Sequence, residues 1–302
     1  MNKQDKKRKV QKIKKKINAV ILAHNYQPPE IQDAADYNGD SLGLSKKAAS
    51  TDCDVIVFCG VDFMAETAKI LSPEKKVILP VKKATCPMAN MITAKQLIDF
   101  KSKYPGAPAV SYVNTTAQVK AQSDICCTSS NAVKIVKSLK ENKVIFTPDK
   151  NLASYVEENV NKEIIAWDGF CYVHNSITKQ DVLKAKKEYP DYVFMAHPEC
   201  RGEVLEYADY AASTGQMFDI VEKEKKKNFI VGTEQGIIYP LKKRYPDRNF
   251  VPVRQNIVCR DMEKITLDDL IESMNKISPL IDIPEDIRIK AFKALDRMMK
   301  IS

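Results

Sequence analysis

Short apolar runs recur along the chain, each ending in a polar or turn-forming cluster. They include AVILAHNYQ from residue 19, DVIVFCGVD from 54, AVSYVNTT from 109, KVIFTPDK from 143, YVFMAHPEC from 192 and NFIVGTEQG from 228. Between them lie stretches with apolar positions at helical spacing, such as TAKQLIDFKSKY and ITKQDVLKAKKEY. Strands that alternate with helices predict right-handed crossovers and parallel sheets covered on both faces.

The pattern has a period. Cys86, Cys171 and Cys259 stand 85 and 88 residues apart, each just past a strand-like run. His24, Tyr112 and His197 precede them by 62, 59 and 62 residues, and a hydroxyl follows each of those tips by 17: Ser41, Ser129 and Thr214. A unit of strand, polar tip, hydroxyl, strand and cysteine thus occurs three times. The expected fold is α/β: three three-layer α/β/α units of about four short parallel strands, which arranged around one point would bring the three cysteines together. The expected boundaries are a basic helix or tail at 1–16, a first domain at 17–86 plus 260–302, a second at 87–171 and a third at 172–259. Residues 276–302, with apolar positions at helical spacing, are expected to form a helix packed on the first unit.

Charge changes this picture little. The 302 residues carry a formal net charge of +9, but residues 1–16 hold nine Lys or Arg against one Asp, so the rest is nearly neutral. The charge is a tail, not a groove, and no nucleic-acid partner is expected. Val10, Ile13 and Ile17 predict an amphipathic helix there that packs one stripe on the body and solvates the rest, with residues 1–12 dispensable for chemistry. The segment lacks the apolar core of a secretory signal, and the longest apolar run, AVILA, is too short for a bilayer. A cytoplasmic protein without a membrane partner is expected. No feature encodes an oligomeric state, and a homodimer is compatible with the sequence.

In a reducing compartment the eight cysteines are expected to be thiols. Cys53, Cys59, Cys126, Cys127 and Cys200 read as packing residues. The periodic three sit at sheet edges, where loops of parallel α/β folds build sites. Structural zinc prefers four ligands in close sequence pairs, and no C-x2-C occurs. Three cysteines on a [4Fe-4S] cluster leave one iron open as a Lewis acid, which favours hydro-lyase chemistry over electron transfer; a catalytic zinc stays open. The chain's three histidines, His24, His174 and His197, all lie beside periodic positions. Ser41, Ser129 and Thr214 precede helical stretches and are suited to phosphate or carboxylate. Glu199 is the best-placed proton-transfer group, and Tyr26, Tyr112 and Asn114 offer a phenol or an amide. Lys82 and Lys83 read as solvated flanks of a strand. No G-x-G-x-x-G or P-loop is present.

The segments AHNYQPPEIQDAADYNGDS, ATCPMANM, SYVNTTAQVKAQSDICCTSSNA, GFCYVH, HPEC and CRDMEKITLDDL resemble the quinolinate synthase (NadA) family from about residue 17 to 275. Asn90 stands where such motifs often carry Asp, and the C-terminal C-x-x-C of some members is absent. The resemblance implies three pseudo-three-fold-related three-layer α/β/α (Rossmann-like) domains, with the active site at their central junction, around a [4Fe-4S] cluster on Cys86, Cys171 and Cys259. It implies condensation of iminosuccinate (iminoaspartate) with dihydroxyacetone phosphate to quinolinate, the precursor of NAD, with release of phosphate and two waters. An aspartate oxidase or dehydrogenase would supply the iminosuccinate. It implies substrate contacts from His24, Ser41, Tyr112, Val113, Asn114, Ser129, His197, Pro198, Glu199 and Thr214; the residues themselves add His174, with Glu199, Tyr26, His24 and His197 as the catalytic set. Two other classes compete: a non-catalytic iron-sulfur redox or oxygen sensor, and a zinc-dependent hydrolase.

Overall fold

The computed structural model describes residues 2–301. Twelve strands form three four-stranded sheets: β1 (Ala19–His24), β2 (Tyr37–Gly39), β3 (Val55–Cys59) and β4 (Lys76–Ile78) in the first; β5 (Ala109–Tyr112), β6 (Ile125–Cys127), β7 (Lys143–Thr147) and β8 (Glu163–Ala166) in the second; β9 (Val193–Ala196), β10 (Tyr210–Ala211), β11 (Asn228–Gly232) and β12 (Asn249–Pro252) in the third. Their spatial orders are β2-β1-β3-β4, β6-β5-β7-β8 and β10-β9-β11-β12, and every pairing is parallel. The repeated α/β arrangement is the one the alternation predicts. Helices cover both faces, so all six positions of β1 and all four of β5 and β9 are buried. Parallel pairing puts the carboxyl ends of each sheet's strands on one edge, and His24, Tyr112 and His197 all lie at such ends.

Three helices link the repeats into a ring. Ala94–Ser102, Lys179–Glu188 and Leu267–Lys276 each begin with a reciprocal cap, Thr93 with Gln96, Thr178 with Asp181 and Thr266 with Asp269. Ile92 and Leu97 pack with Ala109 and Ile145 of the second unit; Ile177 and Val182 pack with Phe194 and Ile230 of the third. Leu270 and Met274 return to the first, against Ile21 and Val57.

The N-terminal helix Lys3–Lys16 belongs to that same core. Val10 is fully buried and Ile13 nearly so, while Lys6, Lys7 and Lys14 pair with Asp268, Asp33 and Asp36. The segment is the amphipathic helix that the spacing of Val10, Ile13 and Ile17 predicts, with its apolar stripe packed on the first unit. The C-terminal helix Glu285–Ile301 departs from expectation. It packs mainly on β6 and the helices Ala117–Lys120 and Ala132–Ser138 of the second unit, and on Asp62–Leu71 of the first. One face of the first sheet is already covered by Lys3–Lys16 and Leu267–Lys276. The stripe Ala291, Ala294, Leu295 and Met298 is buried instead in the core that contains Ile125, Cys127 and Ile135.

Candidate functional site

The strand tips of all three units converge on one cavity. From the first unit it is lined by His24, Tyr26, Ser41 and Cys86; from the second by Tyr112, Asn114, Ser129 and Cys171; from the third by His174, His197, Glu199, Thr214 and Cys259. Val113 and Pro198 are predicted site residues that do not line it. Val113 is buried, its N–H donating to the Cys127 carbonyl at 2.8 Å. Cys59, Cys126, Cys127 and Cys200 are buried away from the cavity, and Lys82 and Lys83 are exposed.

Glu199 is the hub. Its Oε1 accepts from the Tyr112 hydroxyl at 2.6 Å, and its Oε2 lies 2.8 Å from His174 Nδ1. That nitrogen is also 3.2 Å from Cys171 Sγ, while His174 Nε2 meets Thr233 Oγ1 at 2.8 Å, and Thr233 meets the Tyr26 hydroxyl at 2.6 Å. His174 and His197 stack with centroids 4.4 Å apart, and His24 meets Tyr26 edge-on at 4.6 Å. One buried network thus joins Tyr112, Glu199, His174, Thr233 and Tyr26.

Burial sets the protonation states. It pushes His24 and His197 down to about 3, so both are neutral imidazoles near pH 7. Burial raises Glu199, but His174 and His197, with hydrogen bonds from His174 and Tyr112, outweigh it and hold the carboxyl below its ordinary range. Glu199 is therefore an anion near pH 7. Burial drives Tyr26 and Tyr112 well above 10, so both remain phenols that can donate. Asn114 Oδ1 is buried without a hydrogen-bond partner and lines the cavity, an acceptor available to a ligand.

Ser41 and Thr214 occupy the first positions of the helices Ser41–Ser50 and Thr214–Lys223, but Asp40 and Ser213 cap those helices. Capping therefore does not consume the Ser41 and Thr214 hydroxyls. Asp40 also joins two units, accepting from the Gly215 N–H and the Ser213 hydroxyl as well as from Gly43 at 2.8 Å.

Burial also pushes the thiols of Cys86, Cys171 and Cys259 up; Cys86 further feels Cys259, and Cys171 feels Glu199 and Cys86. Among the described residues the group of three donors close enough for a single metal ion, all within 4.8 Å, is Cys171, His174 and Glu199. Sequence reasoning did not find Asp40, Thr233 or the carboxylates Asp62, Asp149 and Glu234. The last three had a signal in the period, each following the third strand of its repeat by two or three residues.

A sequence model for the family described as "Quinolinate synthetase A protein" matches residues 8–300. The chain is 52% identical over 293 residues to a quinolinate synthase of Dehalococcoides mccartyi (strain CBDB1), covering 97% of each chain. It is 51% identical over 290 residues to that of Thermodesulfovibrio yellowstonii, covering 96% of each. It is 48% identical over 295 residues to that of Geobacter metallireducens, covering 98% of this chain and 97% of the relative.

Proposed function

The chain belongs to the quinolinate synthase family and is an enzyme, and from that premise we propose that it condenses iminosuccinate with dihydroxyacetone phosphate to quinolinate, releasing phosphate and two waters. The observation that carries this reading is the convergence of Cys86, Cys171 and Cys259, one from each repeat, on the cavity that also holds Glu199 and the three histidines.

The thiols suit a [4Fe-4S] cluster. Raised by burial, they are protonated on their own, and a cationic metal group is what would ionise them. Two thiolates on one zinc at about 2.3 Å would stand about 4 Å apart, whereas the three cysteines do not form a group within 4.8 Å of one another. When bound, such a cluster supplies one open iron as a Lewis acid for the departing oxygen.

The remaining work falls to side chains. Ser41, Ser129 and Thr214 hold the phosphate of one substrate or the carboxylates of the other, and the Asn114 carbonyl oxygen accepts from a substrate N–H or O–H. Glu199 takes a proton, and Tyr26, a phenol bonded to Thr233, is the donor candidate. His24 and His197, neutral, orient the substrate by hydrogen bonds. An iminosuccinate-producing aspartate oxidase or dehydrogenase supplies the unstable imine, and the reaction takes place in the cytoplasm. The domain division at residues 86, 171 and 259 is the one we propose for the repeats.

A mononuclear zinc on Cys171, His174 and Glu199 is the second reading, favoured by their mutual proximity. Anaerobic purification with iron, sulfide and zinc analysis, followed by assay of quinolinate from both substrates, separates the two. Iron and sulfide near four each per chain, lost when Cys86, Cys171 or Cys259 becomes Ser but kept in Cys127→Ser, supports the cluster. Zinc without sulfide refutes it, and so does a Cys259→Ser protein that keeps all its iron.

A further inference from the structure

Each of the three cysteine loops is tied to a carboxylate from the third strand tip of its own repeat. Asp149 Oδ2 accepts the Cys171 N–H at 3.0 Å, while its Oδ1 accepts the Leu152 N–H at 2.7 Å and caps the helix Lys150–Glu158. Glu234 Oε1 accepts the Cys259 N–H at 3.4 Å, while its Oε2 accepts the Gly236 N–H at 2.8 Å. Asp62 accepts the Cys86 N–H, and its Oδ1 takes the Phe63 N–H at 2.8 Å. Every one of these carboxylates therefore holds the start of a local helical segment and a cysteine backbone at once.

The fold alone does not call for this. Hydroxyls can do the same capping work: those of Thr93, Thr178 and Thr266 satisfy the free N–H groups of their helices without burying a carboxylate. Asp149 and Glu234 are 0% and 1% exposed, and a carboxyl group this deep is costly unless it is well bonded. Recurrence at the equivalent position of all three repeats, 22 to 25 residues before the cysteine, points to a shared task at the cysteine.

We propose that Asp62, Asp149 and Glu234 are positioning residues that fix the three cysteine loops, and so the separation of the thiols, before the cluster is inserted and against its loss afterwards. The proposal rests on the cluster reading above. Cysteine N–H groups bonded to carboxylates cannot swing towards their own sulfur, so the loops keep one geometry with or without the metal group. A ligand set held in this way exchanges its metal slowly, because a chelator must first displace a loop.

The test uses the reconstituted holoenzyme under anaerobic conditions. Iron and sulfide are counted, and loss of visible absorbance is then timed with an iron chelator for the wild type, Asp149→Asn and Glu234→Gln. Each variant keeps the shape but has one acceptor oxygen where two N–H groups need one, so extraction should be about 10-fold faster or more. Glu234→Asp, which retains the carboxylate, should recover part of the loss. Asn2→Ala removes the cap of the N-terminal helix, outside every cysteine loop, and should lower Tm while leaving the extraction rate unchanged. Folded carboxamide variants that release iron at the wild-type rate overturn the proposal, and so does Asn2→Ala if it accelerates release as much. Should Asp149→Asn not fold, Glu234→Gln and Asp62→Asn decide by the same rates. A wild type that binds no iron and sulfide instead overturns the cluster reading, which the initial count reports separately.

Discussion

Exchanging Glu199 for Gln removes one ionisable oxygen from the centre of the cavity and little else. The side chain is 2% exposed and fixed at both ends, by the Tyr112 hydroxyl at 2.6 Å and His174 Nδ1 at 2.8 Å. Glutamine offers a carbonyl oxygen to Tyr112 and an amide N–H to His174, which can accept on Nδ1 while donating from Nε2 to Thr233. The network therefore survives, at a cost of about 1–2 kcal/mol for exchanging a charged acceptor for a neutral one. Losing the proton acceptor should cost the reaction more: roughly 100-fold or greater in turnover, about 2.7 kcal/mol of barrier. The wild-type carboxyl, held low, stays ionised well into acid, so any acid-side fall in kcat/KM that belongs to it should vanish in the variant. Anaerobic assay with both substrates, with iron and sulfide counted on the same sample, separates lost chemistry from a lost cluster. Rapid quench should show an intermediate after phosphate release. A cluster-loaded Glu199→Gln enzyme with wild-type turnover would refute the argument and leave Tyr26 as the acid-base candidate.

Gly215→Ala tests the contact between the first and third units: a Cβ there would stand 2.6 Å from Asp40 Oδ2, so the carboxylate must leave the Gly215 N–H and the Ser213 hydroxyl. A loss of about 1–3 kcal/mol in denaturant unfolding is expected, with a raised KM because Ser41 and Thr214 adjoin the contact; unchanged values would show that the contact is not needed. Deleting residues 2–12 removes the buried Val10, Lys6 from Asp268 and one partner, Lys7, from Asp33, so Tm should fall by an amount equivalent to at least about 2 kcal/mol; a deletion with wild-type Tm would restore the view of a dispensable tail. Without the cluster, His24 and His197 bind fewer protons folded than unfolded between about 3 and 6.5, so stability should drop as pH falls through that window, by up to roughly 1.4 kcal/mol per pH unit for each. Glu234, raised by burial to about 8, acts oppositely: its contribution is full below its unfolded value near 4.3 and lost as pH rises through 8. Asp149, also raised to about 8, acts with Glu234, so the two carboxyls offset the two histidines between about 4.5 and 6.5 and stability should fall above that range; a continued rise to pH 8 would contradict the carboxyl assignments, and no loss of stability as pH falls from about 4 to 3 would contradict those of the histidines.

The sequence exposed the strand tips because spacing survives divergence between repeats even where residue types do not. His24, Tyr112 and His197 differ chemically, yet all three stand at the end of the first strand of a repeat and line the cavity. What spacing could not convey was direction. Tyr112 and Asn114 line the cavity while Val113 between them is buried elsewhere, and His197 and Glu199 line it while Pro198 does not. Successive side chains of an extended segment point to opposite sides, so a continuous motif overstates the site by its intervening residue. Contacts across units were equally hidden. Thr233 joins His174 to Tyr26 from a position far from both in sequence, and Asp40 reaches Gly215, whose missing Cβ is visible as a requirement only once the helices are in place.

The extent of the repeat was longer than the cysteines alone suggested. Ile-Thr pairs at 92–93, 177–178 and 265–266 keep the same 85- and 88-residue intervals as Cys86, Cys171 and Cys259, and in each the Ile is buried and the Thr caps a helix. The repeat unit therefore ends in a helix that packs on the following unit, and the third such helix has only the first unit left to meet. Leu270 and Met274 against Ile21 and Val57 close that ring. Closure has a consequence for the site. A chain of three units joined end to end could hinge at either linker and separate its cysteines, whereas a ring requires two of its interfaces to open together. Thiols on three separate sheets can thus hold a fixed relation without a disulfide or a rigid loop between them, because the packing that sets it lies in the linking helices rather than at the cavity.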